Sequence, residues 1–174
     1  MNFLEQQTKQ LSSNGLSDPG ILSVRNERPD AEICEKFVAF LLGSDIFCVP
    51  SDAVLEVVHP LPVSPLPNAP SSISGISAFR GDVVAVVNIT EMLGRGESNA
   101  GSKAKLVILR ADPKHTQFAI PVDSMYELIG IPPEAMAAHP NTAGALSTRV
   151  EQEGSVFHVI DTDALFESLE RSIG

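Results

Sequence analysis

The order of apolar and polar positions along the chain repeats. Residues 47–58 read F-C-V-P-S-D-A-V-L-E-V-V, and residues 118–129 read F-A-I-P-V-D-S-M-Y-E-L-I. Phe, Pro, Asp and Glu return at the same four places, with apolar residues returning between them. Residues 81–90, G-D-V-V-A-V-V-N-I-T, are echoed by residues 154–163, G-S-V-F-H-V-I-D-T-D. Self-similarity at a fixed offset of about 70 residues marks two copies of one unit. Two lobes with a groove between them follow.

Local patterning gives the elements. Residues 37–42 and 46–49 are strands around a turn at 43–45. Pro50 ends the second strand because it lacks a ladder donor. Ser51 or Asp52 caps one helical turn to Val54, and 55–59 is a third strand. Pro60, Pro62, Pro65, Pro67 and Pro70 make 60–70 an extended crossing segment. Residues 73–79 and 83–88 flank Arg80-Gly81-Asp82 as a hairpin, with Gly81 supplying a positive φ. A short helix at 90–93 is closed by Gly94. The second copy places strands at 106–110, 117–121, 126–131, 145–150 and 156–160, with a helical turn starting at Pro132. Asp161 or Thr162 caps a closing helix whose Leu165, Leu169 and Ile173 share one face.

Short strands and frequent turns make the chain mainly β, with about five strands per copy closing into small barrels that remove exposed edges. The expected organisation is a flexible arm over 1–34 and a body over 35–174. Lobe one spans about 35–94, a polar linker about 95–103 and lobe two about 104–174. Exchange of strands between the lobes is left open.

Composition narrows the function classes. Aromatic residues are 5% of the chain and Trp is absent, so the core is built of Val, Ile, Leu and Phe. The formal net charge of −10 disfavours nucleic acid or anionic lipid as a partner, since both need a positive face. Cys34 and Cys48 are too few and too far apart for a disulfide framework or a zinc site. The chain shows no signal-peptide pattern and no apolar run near the roughly 18 residues that span a bilayer. A reducing, cytoplasmic location without membrane insertion is expected.

Candidate chemistry is sparse. Asp52 with Glu56 and Asp123 with Glu127 recur symmetrically, and paired carboxylates serve acid–base hydrolysis. Asp after Pro is equally a capping residue. A shared-proton aspartate dyad fails, because Asn88 stands where the first copy would need the counterpart of Asp161. His59, His115, His139 and His158 are scattered, with no metal-ligand spacing. Nucleophile-elbow and phosphate-loop motifs are missing. No catalytic residue, metal or cofactor is expected. Arg80, at a hairpin tip in an acidic chain, is the cation that stands out, and arginine is favoured at binding hot spots.

Residues 37–58, Pro67-x-x-Pro70 and Gly75 followed by Arg80-Gly81-x-Val83-Val84-x-Val86-Val87-Asn88-Ile89 resemble the CheW-type chemotaxis coupling proteins. The stretches around 118–129 and 144–160 continue the likeness, which covers about 35–170. The resemblance implies two SH3-like five-stranded barrels with short helices and a C-terminal helix, forming a scaffold without enzymatic activity. It implies as partners the cytoplasmic helical tip of methyl-accepting chemoreceptors and the regulatory domain of a CheA-type histidine kinase. Val54, Glu56, Arg80 and Gly81 fall where such contacts are expected. Relatives serve flagellar chemotaxis, type IV pilus motility and biofilm sensing. A small β-barrel hydrolase and a self-assembling structural protein are the readings from other classes.

Overall fold

A computed structural model describes residues 34–94, 101–111, 116–138 and 147–173, all within one compact unit. The expected arm up to residue 33, the linker over 95–100, His115, His139 and the loop at 140–144 lie outside these residues. The strands are β1 (Glu35–Leu42), β2 (Asp45–Pro50), β3 (Val54–Val58), β4 (Ile73–Phe79), β5 (Asp82–Val87), β6 (Lys105–Ala111), β7 (Thr116–Val122), β8 (Ser124–Ile131), β9 (Ser147–Gln152) and β10 (Ser155–Ile160). The helices are α1 (Ile89–Met92), α2 (Pro133–Ala138) and α3 (Thr162–Ile173), and a 3-10 turn at Ser51–Ala53 joins β2 to β3.

The strands form two five-stranded sheets, in the orders β8-β1-β2-β10-β9 and β3-β6-β7-β5-β4. Neither sheet is drawn from one copy of the repeat. Hairpin β1–β2 joins the last three strands of the second copy, and hairpin β6–β7 joins the three later strands of the first. Two parallel pairings close the exchange, His158 with Phe47 and Val86 with Ala119 among them. A cut near 95–103 therefore separates the copies but not the sheets.

Burial explains the arrangement. Phe40, Leu42, Phe47 and Val49 of one sheet meet Val107, Leu109, Phe118 and Ile120 of the other in a central core, closed by Leu165 and Leu169 of α3. The opposite faces of the same hairpins fill the barrel interiors. Phe37, Ala39 and Cys48 line the first with Val150, Phe157 and Val159. Leu106, Ile108 and Ala119 line the second with Phe79, Val84 and Val86. Strands buried on both faces read as continuous apolar runs rather than alternating ones, as 37–42 and 106–109 do.

The caps repeat between copies. Asn88 Oδ1 accepts from the Glu91 N–H at 3.3 Å and the Thr90 hydroxyl at 2.7 Å. Asp161 Oδ1 accepts from the Ala164 N–H at 2.9 Å. The positions considered for an aspartate dyad are thus helix N-caps. Two local expectations change. The 3-10 turn after Pro50 has no side-chain cap, so neither Ser51 nor Asp52 caps it. Ile173 is 64% exposed while Leu165 and Leu169 are buried, because α3 outruns the core by its last turn.

The proline segment crosses β4 as a strap. Ser64 and Ile76 exchange backbone hydrogen bonds of 2.8 and 2.9 Å, and the Ser77 hydroxyl donates to the Pro62 carbonyl at 2.9 Å. The strap covers the free edge of a terminal strand, which otherwise templates aggregation.

Candidate functional site

The β4–β5 hairpin has Phe79 opposite Asp82, leaving Arg80 and Gly81 as a two-residue loop. Both carry positive φ, +51° and +92°. A two-residue turn that matches strand twist needs positive φ at both central positions. The repeat holds here too, with Glu153 and Gly154 at +52° and +79°. Gly81 meets the requirement without strain, while Arg80 accepts the strained left-handed region. Arg80 is thereby held out at the tip of the hairpin.

The Arg80 Nη2 lies 2.6 Å from Glu56 Oε2, with side-chain exposures of 72% and 35%. The Arg80 guanidinium carbon sits 5.6 Å from the Phe79 ring centroid, within cation–π range. Glu56 follows a register shift in the pairing of β3 with β6 between Val54 and Glu56, and irregularities of this kind re-aim side chains. Val54, just before it, is half-buried against the central core. The structure thus brings Glu56 and Arg80 together, gives Gly81 the turn and places Val54 as the inner neighbour. An exposed ion pair contributes little to stability, so the pair's worth lies in what it presents.

The strands that carry the pair also expose apolar groups. Leu55 and Val57 alternate outward on β3 at 39% and 37% exposure, and Val83 on β5 is 70% exposed. A shallow groove of about 320 Å³ beside Val83 is lined by Pro62, Ser64, Ile76, Ser77 and Ala78. The equivalent strand of the second copy, β8, turns out Tyr126 at 44% and Leu128 at 63%. Sequence reasoning missed these five apolar residues. The signal was available, since 55/57 and 126/128 occupy the same outward positions of the repeated motif.

The other candidates are spread apart. Asp123 Oδ2 accepts from the Gly43 N–H at 2.6 Å, and the Asp123 N–H donates to the Leu41 carbonyl, so it pins the β1–β2 turn. Asp52 sits in the 3-10 turn and Glu127 is exposed on β8. His59 Nδ1 lies 3.2 Å from Lys105 Nζ. His158 stacks on Phe47 at 4.9 Å. Among the described residues no cluster of His, Cys, Asp or Glu is placed to hold a metal. Burial pushes the Cys48 thiol up to about 12.

Comparison with known proteins places this fold. The family model for the CheW-like domain matches residues 36–170. Protein FrzA of Myxococcus xanthus is 36% identical over 81 residues, which cover 47% of this chain and 48% of FrzA. The match therefore spans about half the length of that relative. The chemotaxis protein CheW of Rhizobium meliloti is 26% identical over 141 residues, covering 78% of this chain and 90% of that protein. The scaffolding protein TtCheW of Thermoanaerobacter tengcongensis shares the fold at a TM-score of 0.67 and 21% identity, over 78% of this chain and 94% of that one.

Proposed function

The chain belongs to the CheW-like domain family, and from that membership we propose that it is a non-enzymatic adaptor coupling chemoreceptors to a CheA-type histidine kinase. The observation that carries the reading is the Arg80–Glu56 pair, held at a hairpin tip with the guanidinium over the Phe79 ring. Hot spots combine arginine with desolvated apolar neighbours in this way. Val83 and the groove beside it offer a flat apolar surface for the kinase's regulatory domain. The outward rows Leu55/Val57 and Tyr126/Leu128 suit the apolar face of a receptor helix.

The mechanism needs no bond making. An adaptor with separate surfaces for two partners raises their effective concentration at each other. The names of the relatives, chemotaxis proteins and a scaffolding protein, support this role. Among the described residues no helix is long and apolar enough to cross a membrane. The kinase it selects sets the pathway, whether flagellar chemotaxis, pilus motility or biofilm sensing.

The test is calorimetric titration of the protein against each CheA-type kinase of the host. Arg80→Glu is expected to weaken binding to one kinase about tenfold or more. The reversed pair Arg80→Glu with Glu56→Arg should recover part of it. The unfolding free energy from urea titration should change by less than about 1 kcal/mol, as for an exposed pair. Unchanged affinity, or a loss that tracks unfolding, would sink the proposal.

A further inference from the structure

Neither half of the chain holds a complete sheet. Among the described residues, four strand pairings stay within a half, and all four are hairpins: β1–β2 and β4–β5 before residue 95, β6–β7 and β9–β10 after it. The other four join the halves, β1 to β8, β2 to β10, β3 to β6 and β5 to β7. The first half alone is therefore two hairpins and the lone strand β3, and the second is two hairpins and the lone strand β8. Isolated hairpins are marginal in water. The packing divides in the same way. Phe37, Ala39 and Cys48 share a core with Val150, Phe157 and Val159 of the second half, and Leu106, Ile108 and Ala119 share one with Phe79, Val84 and Val86 of the first.

One covalent connection joins the halves. It runs from Gly94 to Lys105 and reads G-R-G-E-S-N-A-G-S-K-A-K, polar and glycine-rich. Cys34 and Cys48 are both free and both in the first half, so no disulfide adds a second connection. Every contact between the halves is thus available unchanged between two chains. What favours the contact within one chain is the connection itself, which sets an effective concentration on the order of 1 mM. We propose that the chain has a second assembled form, a dimer in which the first half of each copy completes both sheets with the second half of the other. Each body of that dimer takes Glu56 and Arg80 from one chain and Tyr126 and Leu128 from the other, so one particle carries two full sets of exposed surfaces. The halves part only when the core around Phe40, Phe47, Leu109 and Phe118 opens, so monomer and dimer do not interconvert in the folded state. The inference rests on strand topology and stands whether or not the chain couples receptors to a kinase.

The test is refolding of the full chain from urea at two concentrations, followed by size-exclusion chromatography with light scattering. Refolding at about 1 mM should leave about half of the chains as dimer, and refolding at about 10 µM about one in fifty. The isolated dimer, diluted to the lower concentration, should stay dimeric until it is unfolded again. Its backbone amide spectrum should match the monomer's except close to Gly94 and Lys105. Refolding to monomer alone at both concentrations overturns the proposal. So does a dimer that forms on concentrating the native monomer, falls apart on dilution, or shifts the amide signals of Arg80, Val83, Tyr126 or Leu128, because such a dimer is held by its surfaces and not by exchanged halves.

Discussion

Gly75→Ala probes the strap that crosses β4. Gly75 has a φ of +152°, and a Cβ built there would fall on the Ser64 carbonyl oxygen, 2.9 Å from the Ser64 carbonyl carbon and 2.8 Å from Val63 Cγ1. The valine methyl can rotate away, but the Ser64 backbone cannot without lifting the strap. Lifting it breaks the two Ser64–Ile76 hydrogen bonds and the Ser77–Pro62 bond, each with a net value of about 1 kcal/mol. The positive φ adds about 1–2 kcal/mol for a residue with a Cβ. The total is about 4–5 kcal/mol, or about 10–20 °C in Tm for a body of this size. Gly81→Ala is the internal control, since Gly81 has φ +92° and nothing within 4 Å of its Cβ position. It should lose only the conformational part, about 1–2 kcal/mol. Urea unfolding of both variants gives the difference, and hydrogen exchange at the Ser64 and Ile76 amides should accelerate in Gly75→Ala alone. Equal stability losses in the two variants would refute the argument that the strap is seated by the missing side chain.

Three further outcomes are expected. Cys48 has its thiol pushed from 9.0 to about 12 by burial, so the folded state holds the proton more tightly than the unfolded chain. That contribution is complete below pH 9 and is lost as pH rises toward 12, at up to about 1.4 kcal/mol per pH unit; urea titrations should show a shallower decline above pH 9 for Cys48→Ala than for the parent, and parallel declines would count against it. Leu165→Ala should cost about 2–5 kcal/mol, whereas Ile173→Ala, on the exposed last turn of α3, should stay within about 0.5 kcal/mol in the same assay. Asp161→Ala should cost about 1 kcal/mol by thermal unfolding, because the Ala164 and Asp163 amides lose their acceptor.

Which parts of this fold could be read from the chain depends on how many faces of each strand are buried. Strand β3 alternates because one face looks out, and the repeated motif located Glu56 directly, though not the apolar residues beside it. Hairpins β1–β2 and β6–β7 face the shared core on one side and a barrel interior on the other. Their apolar runs carry no face signal, so the sequence shows that they are strands without showing which sheet they join. The repeat left exchange of strands between the lobes open for the same reason, since similarity between copies records shared local geometry and says nothing about partner choice. The Arg80–Glu56 pair had a comparable limit. Gly81 announced a turn, but the pairing depends on the β3 bulge between Val54 and Glu56 and on the left-handed φ of Arg80 itself. Neither leaves a mark in residue types.

The exchange also has a consequence for how the adaptor can work. Each hairpin belongs to the core of both sheets, so a displacement of one barrel relative to the other must disturb Phe40, Phe47, Leu109 and Phe118 together, all at most 2% exposed. Close-packed interiors resist such shifts. The 3-10 turn at Ser51–Ala53, three residues long, ties β2 of one sheet to β3 of the other, and α3 closes the joint with Leu165 and Leu169. A body built this way holds the Arg80 hairpin and the outward row of β8 at a fixed separation. That rigidity is what a coupling element needs, because a flexible link between the two surfaces would absorb a partner's movement instead of passing it on.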